Sequence, residues 1–216
     1  MPQRVLALDL DGTLLDSERD LALSVNHTLV TLGLPVRTDA EIKSFIGNGV
    51  TVLLTKALDQ VTPALLSDAK EIFFAHYRDH LLDNSCLYDG WTGVLESDIP
   101  LALATNKPER FARAILAGLG LLPRFGALIG GDSLPVRKPD VGVADHLAQT
   151  LRIPCSRLIM VGDGIPDGQL AAAAGIPFWA ATWGYSTRDE LAPWATLYLE
   201  SPKDILNAWD RLGKGA

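Results

Sequence analysis

The sequence predicts an α/β fold: a doubly wound, mostly parallel sheet with an all-helical block inserted after the first strand. Three observations point there. Residues 5–8 form a short apolar run that ends at Asp9 and Asp11, as a buried strand does where it leaves a sheet. Residues 17–82 then carry helical periodicity with no convincing strand among them. From residue 100 onward short apolar runs alternate with helical stretches, the pattern of right-handed crossovers with helices on both sheet faces.

The elements follow in order. After Gly12, a residue suited to a sharp turn, 17–33 places Leu21, Val25, Leu29 and Leu32 on one helical stripe, stopped by Gly33. Helices are expected at 39–46, 50–58 and 63–82, the last opening on Pro63 and burying Leu66, Ala69, Ile72, Phe73, Tyr77 and Leu81. Residues 101–104 read as a strand ending at Thr105, and 108–119 as a helix closed by Gly120. A strand at 125–129 ends at Gly130-Gly131-Asp132, and a helix over 140–151 has Pro139 to start its first turn. Residues 158–161 form a strand ending at Gly162-Asp163-Gly164, 169–174 a helix stopped by Gly175, and 177–181 a further strand.

Size and charge bound the function. The 216 residues suffice for one large domain or a core with a smaller partner, and 48% hydrophobic with 21% charged residues is ordinary for a soluble globular protein. A net charge of -7 with no Lys/Arg cluster argues against nucleic acid as a partner. The first apolar run breaks at Asp9, too early for a signal-peptide core. The stretch 171–183 is interrupted by Gly175 and Pro177 and falls short of a membrane span. Cys86 and Cys155 match no metal-ligand spacing and read as reduced thiols of a cytoplasmic protein. The expected assembly is a monomer or homodimer without membrane association.

In an open parallel sheet the ligand lies beyond the carboxyl ends of the strands. Asp9, Asp11, Thr105, Asn106, Asp132 and Asp163 fall at those ends, with Lys138 in the loop before a helix. Adjacent carboxylates are costly without a cation between them, and magnesium takes one or two carboxylates plus phosphate oxygens. Asp9 and Asp163 could supply such ligands, with Asp9 also a candidate nucleophile. Asp11 could move protons, Thr105 could offer a hydroxyl and an amide to phosphate, and Lys138 could offer charge. Gly12 leaves backbone N–H groups free for an anion.

These residues fall into a known pattern. Asp9-Leu10-Asp11-Gly12-Thr13-Leu14, Thr105-Asn106-Lys107-Pro108, Lys138-Pro139-Asp140 and Gly162-Asp163 with Asp167 resemble, in order, the four motifs of the haloacid dehalogenase-like phosphatases. The resemblance spans almost the whole chain. It implies a Rossmann-like core over 1–16 and 84–216 with a helical cap over 17–83. It makes Asp9 the nucleophile and a Mg2+ ligand. Asp11 becomes the acid/base, with its carbonyl on the metal. Thr105 becomes the phosphate-binding hydroxyl and Lys138 the cation between phosphate and nucleophile. Asp163 becomes a metal ligand, and Asp167 a further acid supporting the metal or its waters. The implied partner is a small phosphorylated metabolite.

Within that family, Ile46-Gly47-Asn48-Gly49-Val50, Thr105-Asn106-Lys107-Pro108, residues 129–135 and Thr182-Trp183-Gly184-Tyr185 look closest to the phosphoglycolate phosphatases. Gly47, Asn48 and Gly49 could present amides to a small carboxylate; equally, Gly-Asn-Gly is a good turn between helices. The chain departs from the pattern at Gly164, where serine is usual, at Val141, where proline is common, and in a shortened 88–100 stretch that bears on the placement of Thr105. The favoured reaction is hydrolysis of 2-phosphoglycolate through an aspartyl-phosphate. The alternatives are a sugar-phosphate phosphatase, a phosphomutase, or a weakly active binding or regulatory module. His76 and His80, four apart without a third ligand, read as a surface pair. Trp179, Trp183, Trp194 and Trp209 read as packing residues, and Asp89-Gly90 as the turn back into the core.

Overall fold

The computed structural model describes residues 4–213; the outermost residues of the expected core, 1–3 and 214–216, lie outside them. The strands are β1 (Val5–Leu8), β2 (Leu15–Asp16), β3 (Cys86–Leu87), β4 (Leu101–Ala104), β5 (Phe125–Ile129), β6 (Leu158–Gly162), β7 (Phe178–Ala181) and β8 (Leu197–Leu199). The helices are α1 (Glu18–Thr31), α2 (Asp39–Lys43), α3 (Val50–Ala57), α4 (Pro63–Asp79), α5 (Trp91–Glu96), α6 (Glu109–Gly118), α7 (Gly142–Leu151), α8 (Ile165–Ala174), α9 (Arg188–Leu191) and α10 (Asp204–Gly213).

Six strands form a parallel sheet in the order β5-β4-β1-β6-β7-β8. β1 is buried at every position because both faces are covered. Leu6 and Leu8 point into the layer made by α5, α6 and α10. Val5 and Ala7 point into the layer made by α7 and α8. Each fully buried Leu of this kind contributes roughly 1.5–3 kcal/mol relative to exposure. The strand order turns back at β1, between β4 and β6, so the crevice beyond the carboxyl end of β1 is where a ligand is expected.

Helices α1–α4 pack around a cluster of their own that includes Val25, Leu29, Leu54, Phe73 and Tyr77. Phe111 of α6 joins it, edge-on to Tyr77 at 5.3 Å, and so ties this helical block to the sheet. The two chain crossings into the block pair as the two-stranded antiparallel β2–β3 sheet. Asp20, buried at the start of α1, accepts hydrogen bonds from the amides of Asn84 and Ser85 and from both side chains, 2.6–3.1 Å.

Several boundaries move. The helix expected to 82 ends at Asp79, and that expected over 39–46 is only Asp39–Lys43. Pro139 does not start a helix: α7 begins at Gly142, after a turn in which the Asp140 amide donates to the Arg137 carbonyl at 2.9 Å. The shortened 88–100 stretch contains the six-residue α5, and Arg124 caps its loose end by donating to the carbonyls of Leu95 and Ser97, both at 2.8 Å. β4 therefore keeps its register with β1 (Leu6 with Leu101, Leu8 with Leu103) and delivers Thr105 to the strand end. Cys86 and Cys155 are free thiols.

Candidate active site

The β1 strand ends at Asp9, whose Oδ1 accepts the Leu10 amide at 2.7 Å and faces the Lys138 ammonium at 2.8 Å. Lys138 is also 2.6 Å from Asp167 Oδ1, and all three side chains are nearly solvent-free. Asp163, at the end of β6, is held from two sides. Thr13 Oγ1 donates to its Oδ1 at 2.6 Å and the Tyr185 amide donates to its Oδ2 at 2.8 Å. Asp167, in the first turn of α8, accepts the Gly164 amide on Oδ2 at 3.0 Å. That bond reaches back to the start of the helix, so Gly164 takes part through its backbone.

Ligand atoms of Asp9, Asp163 and Asp167 lie within 4.8 Å of one another. Burial, with the charges of Asp9 and Asp167 added to it, pushes the Asp163 carboxyl up to about 8. Burial likewise lifts Asp167 to about 7, although Lys138 pulls it down. Burial alone would lower the Lys138 ammonium, but Asp167 and Asp9 outweigh it and hold it above its ordinary value. Three buried acids share one ammonium. That imbalance, together with all-oxygen donors, fits a small hard cation.

Gly12 turns the chain with φ at +84, and a Cβ there would fall 2.2 Å from Asp163 Oδ2. Only glycine allows the β1 loop to pass so close to that carboxylate.

Asp11 faces a different cation. Its Oδ1 is 2.8 Å and its Oδ2 3.1 Å from the Lys107 ammonium, and Ser17 donates to Oδ1 at 2.5 Å. Ser17 is held in turn by the Tyr185 hydroxyl, which accepts its amide at 3.2 Å. Nothing in the sequence assigns Lys107 a role. It sits two residues from Thr105, but its partner lies 96 residues away and no local signal joins them.

Thr105 is buried, and its Oγ1 accepts the Lys107 amide at 3.2 Å. Asn106 Nδ2 donates to the carbonyls of Gly47 at 3.0 Å and Lys138 at 3.1 Å, linking the α2–α3 loop to the sheet edge. Its Oδ1 is buried without a partner. Asp9, Asp11, Thr105, Asn106, Gly47 and Gly49 line one cavity between the helical block and the sheet edge. Asn48 is exposed and is not among the residues lining that cavity. Asp132 does not join the site: it is exposed and accepts the Glu109 amide at 2.7 Å at the start of α6.

The histidines of the helical block lie elsewhere. His27, His76 and His80 stack at 4.1 and 4.3 Å, with Ser24 on His76 Nδ1 and Asp83 on His80 Nδ1. The predicted pair thus has a third ring beside it, supplied by α1, but no group of metal-ligand spacing forms there among the described residues. Trp183 packs and also donates to the Thr13 carbonyl at 3.0 Å, as Trp91 does at 3.1 Å, so two indoles steady the loop after β1.

Residues 3–175 match the family model of the haloacid dehalogenase-like hydrolases. The chain belongs to this family. A phosphoglycolate phosphatase from Colwellia psychrerythraea is 37% identical over 200 residues, covering 88% of each chain. One from Chromobacterium violaceum is 37% identical over 197 residues, covering 87% of this chain and 89% of its own. Among solved structures, a predicted phosphoglycolate phosphatase from Haemophilus somnus superposes with a TM-score of 0.90 at 30% identity, over 95% of this chain and 97% of the other. A haloacid dehalogenase-like hydrolase from Streptococcus pneumoniae, at 24% identity and a TM-score of 0.86 over 96% of this chain and 98% of the other, shares the fold. No described helix is long and apolar enough to cross a membrane.

Proposed function

We propose that this hydrolase is a Mg2+-dependent phosphatase of a small phosphate monoester, with 2-phosphoglycolate the favoured substrate. The observation that carries the reaction class is Lys138 held between Asp9 and Asp167, beside Asp163, at the carboxyl end of the central strand. The substrate follows from the relatives, which are named phosphoglycolate phosphatases.

Asp9 Oδ1 is engaged by Leu10 and Lys138, so Oδ2 is the nucleophile. It bonds to phosphorus while the ester P–O bond breaks, and the electron pair stays on the leaving oxygen, which takes a proton from Asp11. Water then attacks the aspartyl-phosphate, giving a proton to Asp11. The P–O bond to Asp9 breaks and phosphate leaves. The Thr105 hydroxyl, which only accepts a bond within the protein, donates to a phosphoryl oxygen; the amides of Leu10, Gly12, Thr13 and Thr105, expected to be open to an anion, are bonded within the protein instead. Asp9, Asp163 and the Asp11 carbonyl would hold Mg2+, with Asp167 supporting its waters. When bound, the ion supplies charge that offsets the phosphoryl oxygens. The helical block over 17–83 acts as a cap that excludes water, and Asn106 ties its Gly47 carbonyl to the core.

The test is hydrolysis of p-nitrophenyl phosphate and of a panel of small phosphate esters with Mg2+. Activity is expected to vanish with Asp9→Asn and after chelation, and 2-phosphoglycolate to rank first in the panel. Undiminished turnover by Asp9→Asn would end the mechanism, and a sugar phosphate ranked far above 2-phosphoglycolate would end the substrate assignment alone. Return of phosphate to a sugar would identify a phosphomutase.

A further inference from the structure

The cavity between cap and core has a polar floor and apolar walls. Asp9, Asp11 and Thr105 make the floor, and Leu21, Val50 and Leu53 line it from the cap. Among the described residues, Lys107 is the only cation that lines it. Its side chain is 3% exposed, so its charge is desolvated and must be matched from within. Lys138 meets two carboxylates, whereas Lys107 meets one, spending two contacts on the two oxygens of Asp11. On its other side lies the face of Tyr77, a cap residue from α4, with the ammonium 4.7 Å from the ring centre.

Tyr77 lines the same cavity, and its hydroxyl is fully buried beside Lys107 with no acceptor for its proton. Burial pushes it up to about 12, against the pull of Lys107, so it carries its proton at neutral pH. Lysine has no acceptor to offer it. A buried donor left without an acceptor is costly, and the two groups together describe what is missing: a compact anion that accepts from both. One ammonium and one hydroxyl match a singly charged carboxylate. They do not match a second phosphate, which is met by several charges, or a sugar, which needs many polar partners.

We propose that Lys107 and the Tyr77 hydroxyl together bind the carboxylate of a carboxylate-bearing phosphate ester, and that this carboxylate displaces Asp11 from Lys107. The inference rests on the phosphatase reading and adds a residue-level basis for its substrate. The exchange joins recognition to chemistry. Lys107 contacts both oxygens of Asp11 and so holds this carboxylate toward the ammonium. A substrate tail that takes the ammonium frees Asp11, while Ser17 keeps one oxygen in place. An ester without the tail leaves the Lys107–Asp11 pair intact and is a poor substrate even when its phosphate fits. Tyr77 makes the arrangement dependent on the cap, because its hydroxyl reaches the tail only when α4 is seated against the core.

The test compares 2-phosphoglycolate with 2-hydroxyethyl phosphate, which replaces the carboxylate by CH2OH, using purified full-length protein with Mg2+. The ratio of their kcat/KM values is the readout. The wild type is expected to favour 2-phosphoglycolate. Lys107→Met is expected to reduce that ratio by roughly 30-fold or more, chiefly through KM for 2-phosphoglycolate, since a desolvated charge pair is lost. Lys107→Arg is expected to recover most of it, and Tyr77→Phe, which keeps the ring, to lower it by about 5-fold. A wild-type preference that survives Lys107→Met intact overturns this inference and leaves the phosphatase reading standing. A wild type that hydrolyses both esters without preference overturns the substrate assignment and the inference together. If Lys107→Met does not fold, Tyr77→Phe decides: a lowered ratio supports the proposal and an unchanged one overturns it.

Discussion

Thr13 Oγ1 donates a 2.6 Å hydrogen bond to Asp163 Oδ1, joining the loop after β1 to the end of β6. Two indoles, Trp91 and Trp183, hold the Thr13 carbonyl from behind, so this hydroxyl has a fixed aim. A hydroxyl that orients a ligating carboxylate governs metal affinity without touching the metal. Thr13→Val keeps the shape and removes the donor. It is expected to raise the Mg2+ concentration for half-maximal activity by roughly 10–100-fold, with kcat at saturating Mg2+ much less affected. Titrating activity with Mg2+ measures both.

The acid cluster also sets how stability responds to pH. Asp163 is held at about 8 and Asp167 at about 7, both far above the ordinary carboxylate range, chiefly by burial. The folded chain therefore binds these protons more tightly than the unfolded chain does. Their contribution to stability is fully present below the unfolded value near 4 and is lost as pH rises through 7 to 8. In chelator the melting temperature is expected to fall between about pH 5 and pH 8.5. Added Mg2+ should restore it at the high end, where the carboxylates are ionised, and do little at the low end. Asp163→Asn should flatten the slope. A thermal melt at each pH, with and without Mg2+, reads all three.

Much of this was legible in the chain, for physical reasons that differ by residue. Val5–Leu8, Leu101–Ala104 and Leu158–Gly162 are buried on both faces, so they read as apolar runs, and their ends mark the site. β2 and β3 are two residues each, too short for any periodicity to show, and β8 is a three-residue edge strand. Asp132 follows a strand end as Asp9 does, yet the side chain turned to an amide of α6 instead of the crevice, because the start of that helix needed an acceptor. Lys107 was out of reach for the opposite reason. Its importance comes from Asp11 and Tyr77, which the fold brings from two other elements, and nothing in Thr105-Asn106-Lys107-Pro108 alone distinguishes it from a surface lysine.

Asp20 ties the start of α1 to the segment that follows α4. It is 1% exposed and its two oxygens collect four donors from Asn84 and Ser85, the residues that lead the chain back out of the helical block. Burial raises its carboxyl, but those hydrogen bonds, Ser85 and Asn84 side chains first, bring it below the ordinary value. Asp20→Ala strands buried amides and is expected to destabilise the protein by about 2–4 kcal/mol. Urea unfolding followed by fluorescence measures the loss. Because the folded value is depressed, the Asp20 contribution is present above the unfolded value and is lost as pH falls through the folded one. The penalty of the variant should therefore shrink in strong acid.

Gly131 positions the loop that carries Thr105 and Lys107. Its amide donates to the Lys107 carbonyl at 2.8 Å, and a Cβ on it would lie 2.3 Å from the Asn106 carbonyl oxygen. The neighbour is backbone, so no side chain can swing aside, and the loop itself must move. Gly131→Ala is expected to cost about 1–3 kcal/mol of stability and to lower kcat more than its loss of folded protein explains, because Thr105 shifts with Asn106. Gly33 gives the contrast. Its φ is +70, but a Cβ there meets nothing within 4 Å. Gly33→Ala should therefore cost about 1 kcal/mol of backbone strain and leave turnover per folded molecule unchanged. Paired urea titrations and kcat values for the two variants separate a glycine required by close approach at the site from one required only by its backbone angle.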